Sequence, residues 1–395
     1  MDTSRRATPV NITALTMADS FDVIVAGIGG MGSSALFHLA ETGLKVCGIE
    51  QFEPGHHRGS SHGDSRIIRK AYFLDPSYVP LMHRSYELIA DLERRRDVKL
   101  FHNVGLFTAG VVGSAFQRGM EACFATHDLP HECWSVEEAR ARYPHFNLPD
   151  DSIVYFDPAG GYGNPEAFVK AHAASAIEEG ATLLRDEQML SWSAHSTHVD
   201  VRTTKRTLSA GRLILTTGAW IIPELRRIGV NLTLKRKVQV WFEMADISLF
   251  RPEVCPVFII KNRSGDFYGF PTIDGRTVKT AETSGGTVLE SAEEQHDRLL
   301  PSDLDNLSRF MRNTFGALAG RAVSHQECLQ TFTDDQNFII DYHPATARVV
   351  LCSPCSGHGF KFTPVIGEVL SQMVRGNDLA QDISLFRLNR FSAIL

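Results

Sequence analysis

The sequence predicts a two-domain α/β protein in which a Rossmann-like nucleotide-binding domain is assembled from separated stretches of chain. Three observations carry this expectation. At 395 residues the chain exceeds the size at which a single hydrophobic core keeps growing, so two domains sharing an interface are expected. The stretch FDVIVAGIGGMGSSALFHLAETGLKVCGIE, residues 21–50, reads as strand, glycine turn, amphipathic helix and second strand. RLILTTGAW, residues 212–220, is a further buried strand ending at a glycine, as expected of a strand that returns to the same parallel sheet and makes the domain discontinuous.

Taken in chain order, residues 1–20 (MDTSRRATPVNITALTMADS) carry arginines and hydroxyls but lack the apolar core of a secretory signal, so they read as a disordered extension. The strand Val23 to Ala26 then leads into Gly27, Gly29 and Gly32, which fit G-x-G-x-x-G. The first glycine makes the turn, the second admits a pyrophosphate to the backbone, and the third lets helix and strand pack closely. The helix N-terminus offers unpaired N–H groups to the phosphates. Glu50, at the end of the second strand, is placed to accept hydrogen bonds from the ribose hydroxyls. The motif by itself leaves FAD and NAD open.

Composition excludes several classes. Hydrophobic residues at 43%, charged residues at 22% and a formal charge of -6 describe an ordinary globular chain without the basic excess that nucleic acid binding needs. No apolar run approaches the ~20 residues that cross a bilayer, so no membrane partner is expected. Seven scattered cysteines argue against a disulfide framework and for a reducing, cytoplasmic compartment. Cys352 and Cys355 form one C-x-x-C, but without a second pair it does not make a zinc site, and no metal is expected. The terminal Ala393-Ile394-Leu395 departs from the S-K-L peroxisomal address at its middle position, leaving that location unsupported.

Four further stretches carry a resemblance: HHRGSSHGDSRIIRKAY (56–72), FYGFPT (267–272), CLQTFTDDQNFIID (328–341) and SGHGFKF (356–362). With the glycine fingerprint and the tail FRLNRF, they make the chain similar, from about Phe21 to Phe391, to the monomeric sarcosine oxidase and N-methyltryptophan oxidase family of flavin amine oxidases. The resemblance implies an FAD-binding domain of the glutathione-reductase type from residues 21–105, 156–230 and 326–395. It also implies an α+β substrate domain, built on an antiparallel sheet, from 106–155 and 231–325. The implied reaction is oxidation of a secondary amine bearing a carboxylate to an imine, then hydrolysis to aldehyde and amine, with dioxygen leaving as hydrogen peroxide. A monomer is implied as well.

Residue by residue, the resemblance implies that Cys328 carries FAD through an 8α-S-cysteinyl bond; Thr333, Asp335, Phe338 and Asp341 fit the same motif, whereas Asp334 and Gln336 depart from it. Arg69 and Lys361 match the residues that bind the substrate carboxylate, a planar fork joined to a compact ammonium. Arg66 would supply positive charge beside the flavin, and Gly357, His358 and Gly359 would bring backbone N–H groups to it. Lys279 would be the cation that meets dioxygen, and Tyr268 would border the substrate and orient its amine. Thr283 stands where relatives commonly have histidine, so a pocket remodelled for something other than sarcosine is expected. Without the resemblance, Cys328 is one thiol among seven, His358 a packing histidine, and Lys279 and Lys361 solvated charges. The rival readings are a fructosyl amino acid (Amadori) oxidase, an oxidase of an amino-acid-derived biosynthetic intermediate, a non-catalytic flavoprotein and a nicotinamide-dependent dehydrogenase.

Overall fold

The chain forms two large sheets, one mostly parallel and one mostly antiparallel. The computed structural model describes residues 20–391, so most of the expected N-terminal extension and the terminal tripeptide lie outside the described residues. At the centre of the first sheet is the strand Ser20–Ala26. It is flanked by parallel neighbours Val46–Ile49 and Thr207–Leu215, with Val23 opposite Val46 on one side and Arg212 on the other. Thr182–Leu184 extends one edge, and Thr346–Ser353 pairs in parallel with the far half of Thr207–Leu215. The near half of that strand instead starts an antiparallel meander through Val199–Thr203 and Met189–Ala194. The central strands are buried on both faces and run without alternation (VIVA, VCGI), as parallel strands covered by helices should.

The helix Gly30–Ala40 departs from the amphipathic expectation. Ten of its eleven residues are buried, because helices Pro165–Glu178 and Thr363–Arg375 pack against it while it rests on the sheet. Close approach is enforced by small residues: a Cβ on Gly367 would lie 2.1 Å from Ser34 Oγ. A helix enclosed on all sides has no solvent face to make polar.

The second sheet has nine strands. It runs from Glu132–Trp134 through Ser152–Asp157, Leu106–Val111, Val257–Asn262, Gly265–Gly269 and Thr277–Glu282 to Thr233–Met244. One pair in it is parallel, Val257–Asn262 with Leu106–Val111, so the sheet is mixed. The long strand Ala319–Phe332 pairs antiparallel with Thr233–Met244 and delivers Cys328 opposite Lys237. This strand runs through residues 325 and 326, where the sequence reading divided the two domains. A third, three-stranded sheet joins Arg66–Ile68 and Phe101–Asn103 to Gly161–Gly163 and carries Arg66. Among the described residues no helix is long and apolar enough to cross a membrane.

Candidate active site

Two cavities meet end to end. One, of about 300 Å³, is bordered by Gly27, Gly29, Glu50, His56, Gln188 and Trp220. The other, of about 780 Å³, is bordered by Arg66, Arg69, Tyr268, Thr283, Cys328, Gly357, His358, Gly359 and Lys361. Ser60, Thr331, Pro354 and Phe360 line both, which makes the volume continuous.

The smaller cavity is built on the glycine turn. Gly27 has φ +88°, and a Cβ on Gly32 would lie 1.8 Å from the Gly27 carbonyl oxygen, so both positions exclude a side chain. Gly29 differs: a Cβ there would meet nothing nearer than Ser61 Oγ at 3.7 Å, and the residue borders open space. The helix that follows has a glycine as its N-cap residue and no acid in its first turn; Gly30 N–H donates to Ser61 Oγ at 3.1 Å, and the turn otherwise remains suited to an anion. Glu50 accepts from the N–H of Ile28 at 2.7 Å and of Phe52 at 3.0 Å, one on each carboxylate oxygen. Burial pushes its pKa up, while those two bonds pull the other way. Each oxygen keeps capacity for a further donor.

The larger cavity is walled by cations. Arg69 and Lys361 are both buried and border the same space. Arg69 spends one nitrogen on the Ala71 carbonyl and lies over the rings of Tyr72 and Phe73. Lys361 Nζ donates to the His358 carbonyl and to the Tyr72 hydroxyl, 3.3 Å away. Burial lowers the pKa of both; Arg69 adds to the shift of Lys361, while Tyr72 and Asp157 pull Arg69 the other way. Among the described residues, no carboxylate lies within ion-pairing distance of Arg66, Arg69, Lys237, Lys279 or Lys361. The buried Glu327 is paired elsewhere, with Arg236, and the buried Asp157 acts on Arg69 from beyond ion-pairing distance. A buried cation without a counter-ion is costly, and a cluster of them is a site made for anions.

His358 does not present a free nitrogen. Its Nδ1 meets the Tyr72 hydroxyl at 2.5 Å and its Nε2 the Gln336 carbonyl at 2.8 Å. Burial, with Lys361 adding to it, drives its pKa down to about 3, so the neutral ring donates to Gln336 and accepts from Tyr72. The ring thereby fixes the tyrosine on which Lys361 leans. Gln336, one of the two departures from the motif, holds φ +61° in the turn that offers this carbonyl. Tyr268 borders the cavity with no hydrogen-bond partner for its hydroxyl among the described residues, and burial raises its pKa to about 12. Thr283 is exposed at the cavity wall, and its hydroxyl donates to the Asp266 carbonyl at 3.0 Å.

On the other side, Arg66 and Lys279 converge on one oxygen. Gln239 Oε1 accepts from Arg66 at 3.0 Å and from Lys279 at 3.1 Å. Lys279 also donates to the carbonyls of Gly63 and Ser65, sits over the Phe270 ring and is almost fully buried. Its pKa is held well below the ordinary lysine value by burial first and Arg66 second. Gln239 Nε2 is buried without a hydrogen-bond partner among the described residues.

The sequence reading missed Gln239, Lys237 and Tyr72. The signal for the first two was present: in LKRKVQVW, residues 234–241, polar Lys235, Lys237 and Gln239 alternate with Leu234, Arg236, Val238 and Val240. A period of two that places polar residues on a buried face marks a strand beside a polar cavity. Tyr72 had no such signal. Its role follows from meeting His358 across 286 positions of chain.

The family of FAD dependent oxidoreductases (DAO) matches residues 22–373. The chain belongs to this family. It is 37% identical to monomeric sarcosine oxidase of Streptomyces avermitilis, over 95% of this chain and 99% of the relative. It is 32% identical to N-methyl-L-tryptophan oxidase of Yersinia pestis, over 94% and 99%. Among solved structures it is similar to NikD, an amino acid oxidase essential for nikkomycin biosynthesis, with TM-score 0.82 and 22% identity over 93% of this chain and 97% of that one. Fructosamine oxidase of Aspergillus fumigatus follows with TM-score 0.77 and 18% identity, over 95% and 91%. These last two likenesses bear on the fold.

The residues of this FAD-dependent oxidoreductase fit the cofactor of its family. A helix N-terminus with glycine as its N-cap residue, a glycine open to the cleft and a buried carboxylate suit a pyrophosphate and a ribose. The continuous second cavity, bordered by Arg66, Arg69, Lys237 and Lys361 without ion-paired carboxylates among the described residues, suits a polar ring that gains negative charge on reduction.

Proposed function

We propose that the protein is an oxidase of secondary amines that carry a carboxylate, an N-substituted amino acid being the substrate class. The observation that carries this reading is the pair Arg69 and Lys361, buried at one cavity with no carboxylate among the described residues within ion-pairing distance of either, the buried Asp157 acting on Arg69 only from farther away. The curated relatives act on N-methyl amino acids by their names, which supports it.

When bound, FAD supplies the acceptor for two electrons from the carbon beside nitrogen and returns them to dioxygen as hydrogen peroxide. The chain's own residues do the rest. Arg69 offers its unspent guanidinium N–H groups, and Lys361 its third N–H, to the substrate carboxylate, fixing the amine's distance from the reacting plane. His358 and Tyr72 hold Lys361 in place. Tyr268 keeps a free hydroxyl for the amine nitrogen. Cys328, at the cavity wall with Arg66 Nη2 3.6 Å away, is the thiol that anchors the cofactor covalently. Lys279 supplies positive charge on the side where dioxygen reacts, with Gln239 holding it beside Arg66.

Thr283 turns its hydroxyl to Asp266 rather than into the cavity, so this wall is short and offers no imidazole. A substrate other than sarcosine is the consequence. The test is a panel of sarcosine, N-methyltryptophan, a fructosyl amino acid and the decarboxylated counterpart of each. Anaerobic bleaching of the yellow enzyme, followed by peroxide release on admitting air, is expected only for amines that retain the carboxylate. Equal bleaching by the decarboxylated amines would overturn the reading.

A further inference from the structure

At the wall of the larger cavity Lys237 is held in an unusual way. Its ammonium donates to three successive carbonyls, those of Thr283 at 2.8 Å, Ser284 at 2.7 Å and Gly285 at 2.9 Å. All three of its N–H donors are therefore used on one loop. Three consecutive carbonyls can converge on one point only if the backbone leaves the ordinary regions, and here Gly285 has φ +66° and Gly286 φ +93°. The loop is also closed tightly on the stem, since a Cβ at Gly286 would lie 2.6 Å from Lys237 Cδ. The nearby Glu282 acts on this charge without bonding to it, and accepts instead from Ser284 Oγ and Asn306 Nδ2.

The loop has a function in the site because of where it lies. It continues the strand Thr277–Glu282, whose Ala281 stands opposite both Tyr268 and Gln239. Glu282, Thr283 and Ser284 border the cavity. A segment containing two adjacent glycines at a cavity mouth would be mobile by composition. The ammonium converts it into a fixed wall, since without it three carbonyl oxygens would face one another across a desolvated gap.

We propose that Lys237 is a positioning residue that locks the 282–286 loop as a rigid wall and so limits the bulk of the nitrogen substituent the site accepts. The kinetic side of this inference rests on the amine oxidase reading; the structural side does not. Two variants of the holoenzyme test it. Lys237→Met keeps the length of the stem and removes the donors. Lys237→Arg keeps the charge, but a planar fork cannot send three N–H groups to one converging set of oxygens.

Amide hydrogen exchange at residues 284–287 is expected to quicken at least tenfold in Lys237→Met and less in Lys237→Arg. The ratio of kcat/KM for a bulky N-substituted glycine to that for sarcosine is expected to rise at least tenfold, in the same order of variants. Exchange that stays within twofold of the parent in both variants overturns the locked wall. Faster exchange with an unchanged substrate ratio overturns the limit on bulk. If the parent oxidises no N-substituted amino acid, the function assigned above fails, while the exchange result still decides the lock.

Discussion

Arg66 reaches Cys328 across 262 positions of chain: its Nη2 stands 3.6 Å from the sulfur and also donates to the Ser60 carbonyl, while Nη1 donates to the Ser65 carbonyl and the Gln239 amide oxygen. One guanidinium thus ties together the thiol proposed for covalent attachment and the lysine proposed for dioxygen. Acid precipitation of the purified protein is expected to leave the yellow colour in the pellet. In Cys328→Ser it should pass to the supernatant, and peptide mapping of the parent should find the flavin on the Cys328 peptide. Colour that survives acid in the serine variant would move the attachment elsewhere.

The carboxylate clamp predicts a graded loss. Hydrogen bonds to charged groups contribute about 1.5–3 kcal/mol each, so Arg69→Met or Lys361→Met should lower kcat/KM for the carboxylate substrate by roughly 10- to 100-fold. The same changes should leave the decarboxylated amine nearly unaffected, a contrast that a general loss of folding could not produce.

Lys279→Met separates the two halves of the reaction. Anaerobic reduction by substrate should keep its rate within a few fold, because the clamp is elsewhere. Reoxidation by dioxygen should slow by roughly 100-fold or more, the loss typical of removing a preorganised charge from a developing anion. Stopped-flow absorbance of each half-reaction measures both, and slowing of the reductive half alone would reassign the lysine.

Acid should destabilise the fold through its buried histidines. His172 is completely enclosed, touches only the Phe168 carbonyl by hydrogen bond, and has its pKa lowered by burial to about 3. A histidine depressed in the folded state is neutral there while the unfolded chain binds the proton. Stability is therefore full above the ordinary histidine value and falls as pH drops from about 6.5 toward 3, by about 1.4 kcal/mol per pH unit for each such group. Urea midpoints measured across that range should show the slope, and His172→Leu should make it shallower. A slope unchanged by the substitution would remove His172 as a contributor.

On the strand Thr233–Met244, Arg236 is a buried cation that is paired. It holds Glu327 at 2.6 Å and Asp303 at 2.8 Å. Breaking such a pair from one side leaves a charge alone in the interior and costs about 3–5 kcal/mol. Replacing both acids, Glu327→Gln with Asp303→Asn, should therefore lower the urea midpoint sharply and Glu327→Gln alone less, since Asp303 then still holds Arg236, whereas Lys99→Ala, which cuts an exposed pair with Glu93, should change it little.

How much of this was legible in the chain differs from element to element. The glycine turn, its two strands and Glu50 were readable because they lie within thirty residues and each answers to a local requirement: a short unbroken apolar run, a positive φ at Gly27, a Cβ excluded at Gly32. The Asp335 and Asp341 positions of the cysteine motif were readable as types. Their partners, Arg390 for one and Arg387 with the Leu388 N–H for the other, appeared only when the tail folded back. The solvated-charge reading of Lys361 and Lys279 failed for a related reason, since nothing in the identity of a lysine tells how deeply its strand or turn will be covered.

By itself, then, the amino-acid order determined the nucleotide turn, the class of sheet around it and the kinds of charge available to a site. Tertiary structure alone decided that Arg66 and Lys279 share the Gln239 oxygen, that Tyr72 links Lys361 to His358, and that Lys237 closes a loop rather than meeting solvent. Local geometry is set by torsional preference and hydrophobic period within a few residues. Which donor meets which acceptor depends on sheet register and on the packing of one sheet against another, and these are fixed by contacts among residues far apart in the chain.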